Sequence, residues 1–466
     1  MDNLKEKCGV FGIFGNPEAA NLTYLGLYAL QHRGQESAGI TAFDGKSYHS
    51  HRQMGLVADI FKQHNLETLK GSIAIGHVRY STAGSSNIKN CQPFQMEYAL
   101  GGLAIAHNGN LINDVPIRRR LVNSGAIFQS NSDTEVIMHL IARSPLPSIE
   151  DRIIDALTEI KGAYSLVILA GDKLIGVRDP NGFRPLCLGR LGKSFVLASE
   201  TCSFDIMEAE FIREIEPGEI IVIDNKGIKS YYPFDAQPRR QCIFEFIYFA
   251  RPDSFIFGDH VYNVRKKLGE LLYEYTPCVA DLVIPVPDSG IPAAIGFSHK
   301  SGIPLELGLI RNHYVGRTFI EPKQSIRHFG VKIKLNANPG ILKNKRVVVI
   351  DDSIVRGTTS RKIIKMIRNA GAREIHFRIS SPPIISPCYY GIDTPTHNEL
   401  IANSHSIEEI NKYVTSDSLA YLPLEALRKS VKDPENFCYA CFTGKYPLRF
   451  PLEEIEQLKL FRRDED

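Results

Sequence analysis

The chain has 466 residues, 43% of them hydrophobic, which is too long for a single core and suits two domains of roughly 200 residues each. Its 55 basic and 52 acidic side chains nearly cancel to +3, and no basic run supplies the patch that a nucleic-acid partner needs. No apolar stretch approaches the roughly 20 residues that cross a bilayer, so neither a nucleic acid nor a membrane is expected as a partner.

The opening residues, Met1 to Lys7, are charged and lack the apolar centre of a secretory signal. Nine cysteines in a long chain without such a signal do not read as a disulfide framework. A cytoplasmic protein is expected, its cysteines serving as core residues, nucleophiles or metal ligands. Up to about residue 224 the pattern is short strands, many glycines and two helices. One helix is predicted over about Glu18 to Gln31, and another from Ser132, where Ser132 and Glu135 have capping-box spacing ahead of Val136, Ile137 and Leu140. Ala163–Ala170, Leu174–Arg178, Phe195–Ala198 and Glu219–Ile223 read as strands. Asp224–Arg240, with Pro233 and Pro238, reads as a linker. Strands then alternate with helices: a helix over Val261–Tyr275, the strand Asp281–Val286, a helix from near Pro292, the strand Arg346–Asp351, the helix Thr359–Ala370 and the strand Glu374–Ile379. Near-continuous apolar strands followed by helices imply a parallel, doubly wound α/β sheet.

The most specific string in the second half is Val347–Thr359, VVVIDDSIVRGTT: a buried strand, two carboxylates, a turn and a helix. In open parallel sheets ligands bind beyond the carboxyl ends of the strands, where Asp351 and Asp352 fall. Backbone N–H groups of Val355 to Thr359 can cradle a phosphate at the start of the next helix, and the Thr358 and Thr359 hydroxyls add donors. An Asp-Asp pair alone would equally suit an acidic strand end ahead of a capped helix; the whole string is more specific. It resembles the phosphoribosyl-pyrophosphate loop of the type I phosphoribosyltransferases. That resemblance implies that Asp351, Asp352, Ser353, Val355, Arg356, Gly357, Thr358 and Thr359 bind the sugar phosphate. It also implies that Ser289, in IPVPDSG (Ile284–Gly290), holds Mg²⁺ together with Asp351 and Asp352. A basic hood over Arg311–Pro339, carrying Arg311, Arg317, Lys323, Arg327, Lys332 and Lys334, would close over pyrophosphate.

In the first half, Cys8 opens CGVFGIFG after a seven-residue leader. Were the leader removed, the freed α-amino group, with an ordinary pKa of about 7.7–8.0, could serve as base for its own thiol. The strings QHRGQESAG (Gln31–Gly39), GHVRYST (Gly76–Thr82), AHNGN (Ala106–Asn110) and SDTE (Ser132–Glu135) accompany it. Amide hydrolysis needs an oxyanion hole, for which Asn108 and the Gly109 N–H are natural donors. Arg79 could fork onto an amino-acid carboxylate and Asp133 could meet its ammonium. His77 and His107 read as structural. These strings, with RDPNGFRPL (Arg178–Leu186), resemble the class II, N-terminal-nucleophile glutamine amidotransferases. The resemblance implies an αββα domain in which Cys8 is the nucleophile, Asn108 and Gly109 the oxyanion site, and Arg79 and Asp133 the glutamine-binding pair.

Together the two halves resemble the amidophosphoribosyltransferase family from Cys8 to about Tyr446. The resemblance implies a propeptide 1–7, a glutamine amidotransferase domain 8–230 and a phosphoribosyltransferase domain 231–466. The implied reaction moves ammonia from glutamine to 5-phosphoribosyl 1-pyrophosphate, giving 5-phosphoribosylamine, the first step of purine synthesis. Protonated ammonia is not a nucleophile, so the transfer is expected to follow a water-poor path. Cys242, Cys388, Cys438 and Cys441 match the ligands of the family's iron–sulfur branch, which implies a [4Fe–4S] cluster acting as a staple. Spacing alone would favour structural Zn²⁺ at the CxxC. Cys91, Cys187, Cys202 and Cys278 read as core thiols. Homo-oligomers, as dimers or tetramers, and feedback by purine nucleotides are implied as well. The alternatives are another class II amidotransferase, a non-catalytic nucleotide-binding regulator built on the phosphoribosyltransferase fold, and a homologue whose glutaminase half is inactive. The tail Pro451–Asp466 is charged and of helical character.

Overall fold

The structure, a computed structural model, describes residues 8–80, 87–312 and 335–449. The leader, Ser81 and Thr82, the hood residues Arg317, Lys323, Arg327, Lys332 and Lys334, and the tail Pro451–Asp466 lie outside the described residues. Two compact units divide the chain. The first holds residues 8–242, 388–393 and 446–449, and the second holds the described residues of 243–387 and 394–445.

The strands of the first unit are β1 (Gly9–Phe14), β2 (Ser37–Phe43), β3 (Tyr48–Met54), β4 (Ile73–Arg79), β5 (Phe94–Tyr98), β6 (Gly101–Leu111), β7 (Gly162–Ala170), β8 (Lys173–Arg178), β9 (Cys187–Leu191), β10 (Ser194–Ala198), β11 (Glu210–Glu214), β12 (Ile220–Asp224) and β13 (Gly227–Tyr231). They form two antiparallel sheets, ordered β11-β9-β10-β1-β4-β2-β3 and β13-β12-β8-β7-β6-β5. Period-two alternation explains the layering. In β1, Phe11 and Ile13 face outward with Leu27 and Ala19 of the helix α1 (Ala19–Ala29). Val10 and Phe14 face inward, against Ala104, Ala106, Val167 and Leu169 of the second sheet. On that sheet's outer face Leu103, Ile105, Leu166 and Ile168 pack under α2 (Asp114–Asn123), α3 (Asp133–Arg143) and α4 (Ile149–Glu159). The result is the expected αββα sandwich.

Three sequence expectations change. The first half carries α2 and α4 in addition to the two predicted helices, and α4 is firmly begun by Ser148, whose Oγ accepts from the Asp151 N–H at 3.1 Å. Ser132 does cap α3, but Glu135 does not close a capping box. Its carboxylate instead accepts from the Gln129 and Ser130 N–H groups at 2.7 and 2.8 Å, ordering the loop in front of the helix. The linker is shorter than Asp224–Arg240, because Gly227–Tyr231 pairs back onto Ile220–Asp224 as a hairpin.

The second unit runs through α5 (Val261–Tyr275), β14 (Leu282–Pro285), α6 (Ile291–Ser301), β15 (Arg346–Asp351), α7 (Thr358–Asn369), β16 (Glu374–Ile379), α8 (Ile407–Val414) and β17 (Ser418–Tyr421). Its parallel sheet has the order β14-β15-β16-β17. Leu305 bridges Val283 in parallel, with N–H···O bonds of 2.9 Å from Val283 to Pro304 and from Glu306 to Val283. The chain therefore extends the sheet first to one side of β14 and then, with β15, to the other. The carboxyl ends of β14 and β15 flank this switch point, where doubly wound sheets bind ligands. Val347 and Val349 pack under Ile363, Ile364 and Ile367 of α7 and Ile410 of α8. On the other side α6 lies on β14 and β15, and α5 lies on α6.

The α5–α6 crossing depends on two glycines. A methyl on Gly269 would run into the Ala293 carbonyl oxygen, and one on Gly296 into that of Lys266. Backbone meets backbone here, so neither neighbour can rotate aside. We expect Gly269→Ala and Gly296→Ala each to cost about 1–3 kcal/mol through overpacking. The check is thermal denaturation, in which an unchanged midpoint for both variants would refute the crossing.

Candidate active sites

In the first unit the residues predicted for glutamine chemistry converge on the amino end of β1. Cys8 directly precedes this strand and is buried. Hydrogen-bond ladders on both sides fix the strand: Gly9 opposes Val78 of β4 and Phe11 opposes Ala198 of β10. One register step beyond Val78 lies Arg79, also buried. The Cys8 thiol lies 3.9 Å from the Tyr80 carbonyl oxygen.

Asn108 and Gly109 sit on β6 of the facing sheet, opposite Ser165 and Tyr164. Gly109 has φ +152, and a side chain there would strike the Ala163 carbonyl oxygen, so only glycine can present its N–H in this bulge-free ladder. Ser199 links the two sheets. Its Oγ accepts from the Val10 N–H at 3.0 Å and from Asn108 Nδ2 at 3.3 Å.

Asp133 stands in the first turn of α3, and its Oδ2 accepts from the Leu111 N–H at 2.9 Å, two residues beyond Gly109. Burial alone would raise this carboxyl, but the His107 ring 3.7 Å away and the Leu111 and Thr134 N–H groups hold it below the usual carboxylate range. An ionised Asp133 suits a cationic ligand. His77 and His107 are both buried. Burial pushes His77 down to about 3, so it is neutral at physiological pH, its Nε2 bonded to the His107 carbonyl at 3.0 Å. His107 Nδ1 meets Thr134 Oγ1 at 3.0 Å. Both occupy positions in a buried scaffold.

A second network under Cys8 was not legible as a site. Arg33 Nε donates to the Cys8 carbonyl at 3.1 Å. The Arg33 guanidinium pairs with Glu200, which also meets His32 Nε2 at 2.8 Å. Burial would raise Glu200, but the neighbouring His32 ring and the Arg33 guanidinium hold it well below the usual range. Arg33 belongs to a noted string, yet nothing local marks Ser199-Glu200 beyond a polar pair after an apolar strand.

In the second unit the two predicted motifs meet. Ser289, after β14, donates its hydroxyl to Asp352 Oδ2 at 2.5 Å, and Ser353 donates to Oδ1 at 2.5 Å. Burial, and then the neighbouring Asp352 charge, lift Asp351 well above the carboxylate range; burial lifts Asp352 too, although the Ser289 and Ser353 hydroxyls oppose it. Beyond them Gly357 adopts the left-handed φ of +75 that turns the chain into α7. This puts Thr358 and Thr359 in the first turn of the helix, where N–H groups point outward. Arg356 is turned to Glu399, with Nη2–Oε1 at 2.6 Å. Arg311, the described member of the predicted hood, pairs with Asp288.

The four cysteines are divided, with Cys242 and Cys388 in the first unit and Cys438 and Cys441 in the second. The Tyr390 N–H donates to the Cys388 sulfur at 3.3 Å. Around the CxxC, Phe244 stacks on Phe442 at 5.9 Å and Phe246 lies 5.8 Å from Phe437. Among the described residues no three or more His, Cys, Asp or Glu side chains gather as a metal cage, and no helix is long and apolar enough to cross a membrane.

Comparison with known proteins agrees with this geometry. A family profile described as a glutamine amidotransferase domain matches residues 77–205. The chloroplastic amidophosphoribosyltransferase of Glycine max is 54% identical, over 99% of this chain and 82% of its own length. The amidophosphoribosyltransferase of Bacillus subtilis is 51% identical, over 96% and 95% respectively. A solved structure of glutamine phosphoribosylpyrophosphate amidotransferase from B. subtilis, complexed with ADP and GMP, superposes with a TM-score of 0.90 at 50% identity, covering 95% of this chain and 98% of that one. With these two relatives more than half identical over at least 96% of its length, this chain belongs to the amidophosphoribosyltransferase family.

Proposed function

We propose that Cys8 is the nucleophile that releases ammonia from glutamine, and that the Asp351–Asp352 strand end binds the 5-phosphoribosyl 1-pyrophosphate which that ammonia attacks. The overall reaction is that of the family: glutamine, water and the sugar pyrophosphate give 5-phosphoribosylamine, glutamate and pyrophosphate. The observation that carries the residue assignment is the meeting of Ser289 with Asp352 at the switch point of the parallel sheet. Two motifs 63 residues apart converge where a ribose phosphate would sit.

In the first unit the Cys8 thiolate attacks the side-chain amide, ammonia leaves as the C–N bond breaks, and water hydrolyses the resulting thioester to glutamate and the free thiol. Asn108 Nδ2 and the Gly109 N–H receive the developing oxyanion, while Arg79 and Asp133 bind the α-carboxylate and α-ammonium of glutamine. Removal of residues 1–7 frees the Cys8 α-amine to accept the thiol proton. In the second unit the Val355–Thr359 turn cradles the 5′-phosphate, and Asp351 and Asp352 face the ribose hydroxyls. The two buried carboxylates suit Mg²⁺, which commonly rests on one or two carboxylates plus substrate oxygens and therefore needs no full protein cage. When bound, the ion would neutralise charge developing on departing pyrophosphate. Domain limits of 8–230 and 231–466, a homo-oligomer, a cytoplasmic location and feedback by purine nucleotides complete the reading. The nucleotide complex of the B. subtilis protein supports the last of these.

The cysteines Cys242, Cys388, Cys438 and Cys441 supply four ligands of one chemical type, as a [4Fe–4S] cluster requires. The N–H···S bond at Cys388 and the phenylalanine shell around the CxxC fit a thiolate site shielded from water. Such a cluster would serve as a structural staple.

Four measurements test these assignments. Cys8→Ala should lower glutamine-dependent turnover by roughly 10³-fold or more and leave turnover with free ammonia within about threefold; intact mass should show that active enzyme starts at Cys8. Full glutamine-dependent activity from protein that retains Met1 would overturn the nucleophile assignment. Asp352→Asn should lower glutamine- and ammonia-dependent turnover together, by roughly 100-fold, without slowing alkylation of Cys8. Iron and sulfide analysis of anaerobically purified protein should give about four of each per chain; zinc in their place would exclude the cluster.

A further inference from the structure

We infer that Ser199 and Glu200 form a positioning pair that locks the nucleophile and the oxyanion donor into one geometry. The inference rests on the assignment of Cys8 and Asn108 made above. The two residues follow β10 directly, and neither belongs to the strings that identify glutamine chemistry.

Ser199 acts on the oxyanion side. Its N–H donates to the Val10 carbonyl at 3.0 Å, while its Oγ accepts from the Val10 N–H at 3.0 Å and from Asn108 Nδ2 at 3.3 Å. A hydroxyl oxygen has two lone pairs, and these two N–H groups use both. An amide nitrogen carries two N–H bonds in one plane, so anchoring one of them sets the direction of the other. Ser199 thereby decides which way the Asn108 amide presents its donor. It also ties that orientation to the backbone two residues beyond the nucleophile. Both Ser199 and Asn108 are fully buried, where a hydrogen bond is stronger and its loss dearer than in water.

Glu200 acts on the nucleophile side. It accepts from the Arg33 guanidinium and from His32 Nε2 at 2.8 Å. Arg33 in turn donates from Nε to the Cys8 carbonyl at 3.1 Å. With no charge on Glu200, Arg33 would be a buried cation without its paired anion, which is strongly unfavourable. The chain just after the nucleophile is thus held at the Cys8 carbonyl by the ion pair and at Val10, from the neighbouring strand end of the same sheet, by Ser199. Adjacent residues on one strand end grip the two halves of the reaction centre.

Neither side chain is placed to touch substrate in this account, so the signature differs from that of a donor or nucleophile. Ser199→Ala should reduce kcat for glutamine-dependent turnover by about 10- to 100-fold, a fraction of the roughly 10²–10³ attached to an oxyanion donor itself. The KM for glutamine should move by no more than about threefold, and turnover with free ammonia should persist. Ser199→Cys, which fills the site but accepts hydrogen bonds weakly, should show the same split, and Ser199→Thr, which keeps the hydroxyl, should recover most of the rate. In the Asn108→Ala background Ser199→Ala should have little additional effect, because both remove one donor geometry. Glu200→Gln should lower kcat for glutamine in the same pattern. Additive losses in the double variant, or parallel falls in the glutamine and ammonia reactions, would overturn the positioning role. If Asn108→Ala alone keeps full glutaminase activity, the underlying oxyanion assignment is what fails.

Discussion

A nucleophile can be aimed only if the chain that carries it cannot move, and for the proposed nucleophile Cys8 that constraint is met by β1. The strand is buried along its whole length and is paired on both sides, to β10 and to β4. Its inward residues Val10 and Phe14 press on the second sheet and its outward residues Phe11 and Ile13 on α1. Sliding it by one residue would exchange these two sets and place outward-packed side chains in the inter-sheet core. Cys8 therefore starts at a point fixed by the packing of two layers, and Asn108 approaches from the opposite layer. The distance between them is a property of the sandwich and not of any loop.

That arrangement brings many polar groups into a core, and each must be matched. Arg33 and Glu200 are among the buried charged residues, as are Asp133, Arg178, Asp179 and Arg184. Arg178 donates to the carbonyls of Arg184 at 2.9 Å, Ile215 at 2.6 Å and Gly182 at 3.0 Å, so its charge holds the RDPNGFRPL turn together. Arg184 reaches the Gly391 carbonyl at 2.5 Å, fastening residues 388–393 beside Gly109. Buried ions are held by several hydrogen bonds each because the desolvation of an isolated charge would cost far more than one bond returns. Satisfied networks of this kind favour a single arrangement over near alternatives, which is what a reaction centre requires.

The sequence revealed most where chemistry concentrates in a short string. Arg346–Asp351 and Val261–Tyr275 match the expected strand and helix residue for residue, because one is an unbroken apolar run and the other a clear helical pattern. The Ser289–Asp352 meeting was expected from the family resemblance, and the two strings do end neighbouring parallel strands. Other features were hidden for physical reasons. Helix α2 has no strong apolar stripe, only Ile117 and Leu121 reaching the core, so its pattern is masked by arginines. Glu135 had the spacing of a capping box, but two loop N–H groups competed for its carboxylate and won. Ser199 and Glu200 gain meaning only from partners 91 and 167 residues distant, and no local pattern encodes such pairings.

The second site obeys the opposite logic. In the first unit the buried Arg33 and Glu200 neutralise one another, whereas Asp351 and Asp352 are two neighbouring acids whose burial and mutual repulsion disfavour full ionisation. The hydroxyls of Ser289 and Ser353 relieve part of that at Asp352, and the positive charge of Arg265 on α5 acts in the same direction. What remains is a pair of buried acids at a strand end, next to a helix start whose N–H groups favour anions. A ligand that carries hydroxyls and a divalent cation to the acids and a phosphate to the helix satisfies both ends at once. Either half of that ligand alone would leave one end unmatched. On the proposed assignment, selectivity for a sugar bearing a phosphate follows from the same carboxylate pair that is unfavourable when left alone.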